Sequence, residues 1–364
     1  VAIAWLVFQG AMVLRWRTAI ASVISRIDAA SDDLSVFREL LETVEGAAFH
    51  APRLQALHRQ LVVEGALPSQ RVSRLQALVS LLNQYQHNPY FRFVGVPLLI
   101  GGQLAVAIDR WHASYGPSLA VWIRVIGELE ALSSLATYSY EHPADPFPVL
   151  EDHSAPRFEA RGVAHPLLLE SAAVRNDLRL GGADPHVYLV SGSNMSGKST
   201  LLRAVGVNIV LALAGAPVRA ERLALTPLDI GATLRISDSL QEGYSRFYAE
   251  ILRIRSIVDL ARGGRPVLFL LDEILHGTNS HDRRIGAEAI IRALITSEAI
   301  GLVTTHDLAL TEVVSALGPL AANIHFEDQI SEGQLGLQFD YRLRPGVVER
   351  SNALSLMRAI GLDV

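Results

Sequence analysis

The chain has 364 residues, half of them apolar and 19% charged, with a formal net charge of −5 and no cysteine. Such a balance is globular rather than disordered and is long enough for two or three domains. It excludes disulfides, iron–sulfur clusters and thiolate zinc sites, and it requires that any nucleic-acid contact come from a local basic patch.

Residues 1–17 form a hydrophobic N-terminal segment. Residues 1–14 carry no charge and are followed by Arg15 and Arg17. The run is shorter than the about 20 residues of a spanning helix, and its charges come after the apolar stretch, unlike those of a secretory signal. Two readings stand. It is the end of a longer membrane helix with its positive flank inside, or it is a helix packed into a core or partner. A start at Val1 predicts a piece of a longer protein.

Residues 18–148 are predicted to be a helical domain of long levers. Ile24, Ile27, Leu34, Phe37, Leu40 and Leu41 recur at helical spacing, as do Leu54, Leu57 and Leu61, and then Leu75, Leu78, Leu81 and Leu82. Gly65-Ala66-Leu67-Pro68 separates two of these helices. The uncharged run 94–108, with Pro97, Gly101 and Gly102, is too short to span a bilayer and is read as buried protein. A further long helix covers 122–138, with Ile123, Ile126, Leu129 and Leu132 on one face. Three prolines between 143 and 148 end the helical texture and place a domain boundary there.

From residue 149 to 364 short apolar strands alternate with helices. Residues 267–271 (Val-Leu-Phe-Leu-Leu) read as a strand buried on both faces, and 300–305 as another. Leu335, Leu337, Phe339, Tyr341 and Leu343 alternate strictly, which predicts a half-buried antiparallel strand paired with residues 323–326 across a turn holding Gly333.

Between an apolar strand at 186–190 and a helical run from Thr200 lie Gly192, Ser193, Asn194, Met195, Ser196, Gly197, Lys198 and Ser199. They fit G-x-x-x-x-G-K-[ST]. A strand, a tight loop and a helix N-terminus make a phosphate cradle: backbone N–H groups point inward, the helix dipole adds partial positive charge, and Lys198 adds a full one. Ser199 would hold Mg²⁺ through its hydroxyl. Strand 267–271 delivers Asp272 and Glu273 at its C-terminal end. Asp272 suits the Mg²⁺ shell, and Glu273 suits the orientation of an attacking water. Strand 300–305 ends in His306, at the same sheet edge and within reach of a γ-phosphate. The polar loop 275–282 beside that position contains His276 and His281, whose spacing supports a loop contact rather than a metal site. Ser245 precedes an amphipathic helix with Phe247, Ile251, Ile254 and Val258 on one face and Glu250, Arg253 and Arg255 off it. Ser245 is either a second anion-binding helix end, serving a phosphate bound by another subunit, or a simple N-cap.

Together these elements resemble the MutS family of DNA mismatch-repair ATPases, within the ABC ATPase superfamily. Residues 191–200 resemble T-G-P-N-M-x-G-K-S-T, with its uncommon Asn-Met pair. Residues 271–278 resemble D-E-I-G-R-G-T, Thr305-His306 resembles A-T-H, and Ser245, Phe247 and Glu250 resemble S-T-F-x-x-E. Residues 162–166 with Asn176-Asp177 are similar to G-R-H-P…N-D, and 341–346 with 351–353 to the family's closing strand and helix start. The resemblance implies an α/β P-loop ATPase domain with a mixed sheet at 149–364, preceded by an all-α lever domain. It implies ATP and Mg²⁺ as ligand and cofactor, and a homodimer in which each Ser245 helix faces the partner's γ-phosphate, with Asn279, Ser280 and Asp282 along the interface. It also places Tyr341 against adenine.

The expected function is thus a Mg²⁺-dependent ATPase that couples its nucleotide state to DNA binding, with Arg53, Arg59, Arg71 and Arg74 as candidate DNA contacts. The alternative is a membrane-tethered, ATP-driven scaffold for a protein partner. Phe37-Arg38-Glu39 carries the letters of the family's mismatch wedge but lies inside a helical pattern, and Leu275-His276 replaces the family's Gly-Arg. The expected location is cytoplasmic, or the cytoplasmic face of a membrane if residues 1–17 end a spanning helix.

Overall fold

The computed structural model describes residues 31–61, 65, 67–193, 195–234, 246–275, 277–330 and 337–348. The predicted periodicity at Ile24 and Ile27, and the segment 1–17, lie outside these. The chain divides into two compact units, 1–135 and 136–364. The divide falls inside the last helix of the first unit, whereas composition points to the proline run at 143–148. Composition marks where helicity stops. Packing assigns the last turn of that helix to the second unit, where Tyr138 Oη donates to Asp145 Oδ2 at 2.9 Å.

The first unit is helical: α1 (Ser31–Gly46), α2 (Pro52–Leu61), α3 (Pro68–His87), the short α4 (Pro89–Gly95) and most of α5 (Ile100–Glu141). Pro68 opens α3, where its fixed φ suits the first turn and its missing N–H is not needed. The core gathers Leu41, Leu57, Leu61, Val72, Trp111, Trp122, Val125 and Ile126. Two indoles satisfy backbone carbonyls within it: Trp122 Nε1 donates to Leu61 O at 3.2 Å and Trp111 Nε1 to Arg71 O at 2.9 Å. The inner face of α5 is thus set by Trp122, Val125 and Ile126, and Ile123, read on the same face as Ile126, is exposed. The indoles, rather than the aliphatic periodicity, fix the rotation of the helix. The run 94–108 is also not uniformly buried. Leu104, Ala105 and Ile108 pack inward, but Val94, Val96 and Leu98 face out. Among the described residues no single helix is long and apolar enough to cross a membrane, while α4 and α5, bent by 88°, pass that test as a pair by length and composition.

The second unit is an α/β structure with two sheets among the described residues. The smaller has the order β1 (Val149–Leu150), β5 (Arg222–Leu225), β2 (Arg157–Val163), β3 (Asn176–Gly181). The larger has the order β10 (Leu337–Pro345), β9 (Ala321–Ile330), β4 (Val187–Ser191), β8 (Ile300–Thr305), β7 (Val267–Leu271), β6 (Asp229–Ala232). All its pairings are parallel except the edge hairpin β9–β10, whose register Leu343↔Phe326 matches the expected partners. Helix α6 (Lys198–Leu213) covers one face; α7 (Arg246–Ala261) and α8 (Ser280–Thr296) cover the other. Strand β7 is buried throughout because its alternating side chains feed both cores. Leu268 and Leu270 meet the α6 side, and Val267, Phe269 and Leu271 meet the α7–α8 side. Ser191 sits opposite Thr305, and Leu271 opposite Val303. The parallel register therefore brings the residues after β4, β7 and β8 to one edge of the sheet, where ligands bind in open parallel sheets.

Candidate active site

The loop after β4 turns into α6 through Gly197, which has φ +107° at the helix N-cap. A Cβ there would lie 3.2 Å from the Tyr341 ring in a left-handed conformation that side chains resist. Lys198 Nζ donates to Gly192 O at 2.8 Å and Ser193 O at 2.6 Å, so the ammonium is held over the start of the loop. Ser199 Oγ donates to Asp272 Oδ1 at 3.0 Å, and this contact joins two motifs 73 residues apart. Met195 is exposed with φ +70°. Ser196 Oγ is buried with no hydrogen-bond partner among the described residues. Asn194 lies outside them.

The acidic pair is held by threonines from both neighbouring strands. Asp272 N donates to Thr233 Oγ1 at 3.0 Å and Glu273 N to Thr304 Oγ1 at 2.8 Å, while Thr304 Oγ1 donates to Asp272 Oδ1 at 2.6 Å. Glu273 and Leu275 both have positive φ, +51° and +56°, a strained turn. His306 Nδ1 stands 3.7 Å from Glu273 Oε1.

Two residues that periodicity did not single out shape the loop after this turn. Glu250 was expected off the apolar face of α7, yet it is buried and accepts Leu275 N–H at 2.7 Å. Arg283 donates to Leu275 O at 3.1 Å, Thr278 O at 2.9 Å and Asp307 Oδ2 at 3.2 Å. Of the expected apolar face of α7, Ile254 is buried in the core and Phe247 and Val258 pack against it, joined by Ile257 and Ala261, while Ile251 is exposed. Glu250 lies on the inward side with them and serves the loop. Asn279 caps α8, its Oδ1 accepting Asp282 N–H at 2.9 Å and its Nδ2 donating to Asp282 Oδ2 at 2.7 Å. Ser245 and His276 fall outside the described residues.

A cavity of about 470 Å³ runs beside the loop. Lys198, Ser199, Thr200 and Glu273 line one part, and Val163, Ala164, Leu168, Ala172 and Val174 line an apolar part, with Tyr341 also on the wall. The size and the mix of walls suit a nucleotide-sized ligand. Tyr341 stands at a bulge in β10 with φ +53°. Asn176 braces this bulge from β3: its Nδ2 donates to Tyr341 O at 3.0 Å and its Oδ1 accepts Leu343 N–H at 2.7 Å. Nothing in the strict alternation of that strand signals the bulge.

His165, also on the cavity wall, is held below the ordinary imidazole value by burial first and by the charge of Arg203 second. Its Nδ1 accepts Leu167 N–H at 3.2 Å, a bond that a neutral ring can make.

The residues fit a Mg²⁺–triphosphate. Ser199 and Asp272 offer the oxygen donors that a hard cation takes, and Ser196 Oγ is a buried polar atom needing a partner. Among the described residues no group of three or more acidic or histidine side chains forms a protein cage.

Of the candidate nucleic-acid contacts, Arg53 pairs with Glu128, Arg59 donates to the Gln55 carbonyl of its own helix, and Arg71 lies 4.1 Å from the centroid of the Tyr115 ring. Arg74 is exposed.

Residues 188–363 match MutS domain V. The chain is 33% identical over 248 residues to the DNA mismatch repair protein MutS of Natronomonas pharaonis, covering 66% of this chain and 27% of that protein. It is 33% identical over 256 residues to the DNA mismatch repair protein MSH6 of Arabidopsis thaliana, covering 66% and 19%. With the DNA mismatch repair protein MutS 2 of Halobacterium salinarum it shares 30% over 300 residues, covering 79% and 31%. The chain thus spans less than a third of the length of each of these relatives.

Proposed function

This chain is a divergent MutS-like protein, and from that premise we propose that it binds and hydrolyses ATP with Mg²⁺ at the sheet edge formed by β4, β7 and β8. The observation that carries this reading is the 3.0 Å contact between Ser199 Oγ and Asp272 Oδ1 on the edge of a cavity that also presents Lys198 and Glu273.

In this reading Lys198 leaves the loop carbonyls to neutralise phosphate oxygens, and the loop amides from Gly192 to Thr200 cradle them. Ser199 and Asp272 would hold Mg²⁺, whose charge offsets that developing on the transferred phosphoryl group. Glu273, fixed by the Thr304 hydroxyl, orients the attacking water. His306, beside Glu273, contacts the γ-phosphate. The apolar part of the cavity takes the base against Tyr341, whose ring suits stacking. Hydrolysis proceeds in a homodimer, with Ser245 reaching the partner's phosphate and Asn279, Ser280 and Asp282 at the contact.

Glu273→Gln is expected to retain ATP while turnover falls by about 100-fold or more; a variant turning over at the parent rate would remove Glu273 from the mechanism. Absence of heat on titrating the folded protein with Mg²⁺·ATP would remove the site itself. DNA coupling is proposed from the relatives, which are mismatch repair proteins by name. Filter binding of duplex, mismatched and branched DNA at two salt concentrations tests it, because phosphate contacts weaken steeply with salt.

A further inference from the structure

Between β2 and β3 the chain crosses residues 164–175 in turns, without a helix or strand. This stretch supplies Ala164, Leu168, Ala172 and Val174 to the apolar part of the cavity. Its other large side chains point away from any core: Leu167 and Leu169 are 88% and 76% exposed. Apolar packing therefore holds the segment weakly, and its place beside the cavity depends on polar ties.

The start of the segment is tied through backbone groups. Ala164 N–H donates to Arg219 O at 2.9 Å, and Asn208 of α6 bridges the same two residues, its Nδ2 donating to Ala164 O at 2.9 Å and its Oδ1 accepting Arg219 N–H at 2.6 Å. The end runs into Asn176, which is bonded to the β10 bulge. The middle is tied by Glu170, whose carboxylate lies between two guanidiniums. Arg175 Nη2 donates to Oε1 at 3.0 Å and to Oε2 at 3.2 Å, and Arg219 Nη2 reaches Oε2 at 2.5 Å. Both arginines are anchored in turn, Arg175 on Gly162 O at 3.2 Å and Arg219 on the buried Asp145 at 3.2 Å. Glu170 is 64% exposed, so this clasp adds little to folding stability. Its effect is on where the segment stands.

We propose that Glu170 and Arg219 are positioning residues for nucleotide recognition, and that their clasp holds residues 164–175 against the base without acting on the phosphates. The proposal rests on the nucleotide reading of the cavity and deepens it. Neither side chain lines the cavity, but Leu168 and Ala172, two residues to either side of Glu170, do. A shift of Glu170 is thus passed to the wall, and a wall that retreats by a fraction of an ångström gives up much of its dispersion contact with a ring.

The test is calorimetry on the full chain with two ligands, Mg²⁺·ATP and Mg²⁺·tripolyphosphate, which carries the same phosphates and no base. Glu170→Gln is expected to weaken ATP about tenfold and tripolyphosphate by less than about twofold, and in turnover the loss should fall on KM rather than kcat. Raising salt from about 50 to about 500 mM should bring the parent's ATP affinity toward that of Glu170→Gln, because an exposed clasp is screened. Arg219→Lys keeps a cation beside Asp145 but loses the fork to Glu170. It should show the same selective loss, and the double variant should lose no more than either single one. The proposal is overturned if Glu170→Gln binds ATP as the parent does, if both ligands weaken equally, or if the two losses add. A parent that binds neither ligand would overturn the nucleotide reading itself, and this proposal with it.

Discussion

At the scale of single residues, the Tyr341 wall of the cavity, proposed to meet the base, depends on one amide. Asn176 satisfies a carbonyl and an N–H of the β10 bulge and so fixes where Tyr341 stands. Asn176→Ala leaves two backbone groups of the bulge without that partner, at a cost of about 1–3 kcal/mol. It is expected to weaken ATP binding about tenfold or more while inorganic phosphate still competes as in the parent. Equal loss for both ligands would show that the effect is not at the base. His165 adds a pH dependence. Its folded value lies below 6.5, its ordinary value. Above 6.5 the folded and unfolded rings are both neutral and stability does not change with pH. As pH falls below 6.5 the unfolded ring protonates first, so stability declines until the folded ring also protonates. Denaturant unfolding from pH 7 to 5 should show this slope, and His165→Gln should flatten it. A slope unchanged by the substitution would assign the titration to other groups.

At the scale of elements, strand identity was legible and strand-end chemistry was partly so. The unbroken apolar run of β7 announced a strand buried on both faces, because each side chain of such a strand meets a core whichever way it points. The acids after it were equally plain. What the run did not reveal is the pair of hydroxyls, Thr233 and Thr304, that come from strands far away in sequence to hold them. Thr304→Val keeps the shape and removes the bonds. It is expected to lower turnover about 10- to 100-fold with nucleotide affinity little changed, and Thr304→Ser should restore most of it; a parent-like rate for the valine variant would make Thr304 simple packing. Helix α7 shows the opposite case. Its periodicity gave an apolar face of Phe247, Ile251, Ile254 and Val258 with Glu250 off it; all but Ile251 meet the core, and Glu250 is inside as well, where it accepts Leu275 N–H. A buried backbone donor outweighed one exposed isoleucine, in keeping with the cost of leaving such a group unpaired.

At the scale of the whole molecule, the second unit carries its own buried ion pair. Arg219 meets Asp145 at 3.2 Å, with side chains 6% and 1% exposed, and reaches Glu170 at 2.5 Å. Tyr138, from the last turn of α5, donates to the same aspartate, and burial and that bond raise its hydroxyl well above the ordinary tyrosine value. Removing one partner strands the other: Asp145→Ala should destabilise the unit by about 3–5 kcal/mol. Thermal unfolding followed by near-ultraviolet circular dichroism measures this, and a loss under about 1 kcal/mol would mean that Arg219 finds compensation at Glu170. The same cluster explains why the packing divide precedes the proline run: the tail of α5 is fastened into the second unit by side chains that helical periodicity does not weigh.

The strands β4, β7, β8 and the β9–β10 hairpin, the phosphate-loop motif and the acids after β7 were written in local pattern, whereas the smaller sheet and β6 were not. Turn chemistry and apolar spacing act over a few residues and leave their mark in the chain itself. The meeting of Ser199 with Asp272, the brace of Asn176 on Tyr341, the inward turn of Glu250 and the outward face of residues 94–98 were decided only by folding. Each depends on which distant group arrives to satisfy a polar atom or to cover an apolar one, and that is a property of three-dimensional packing.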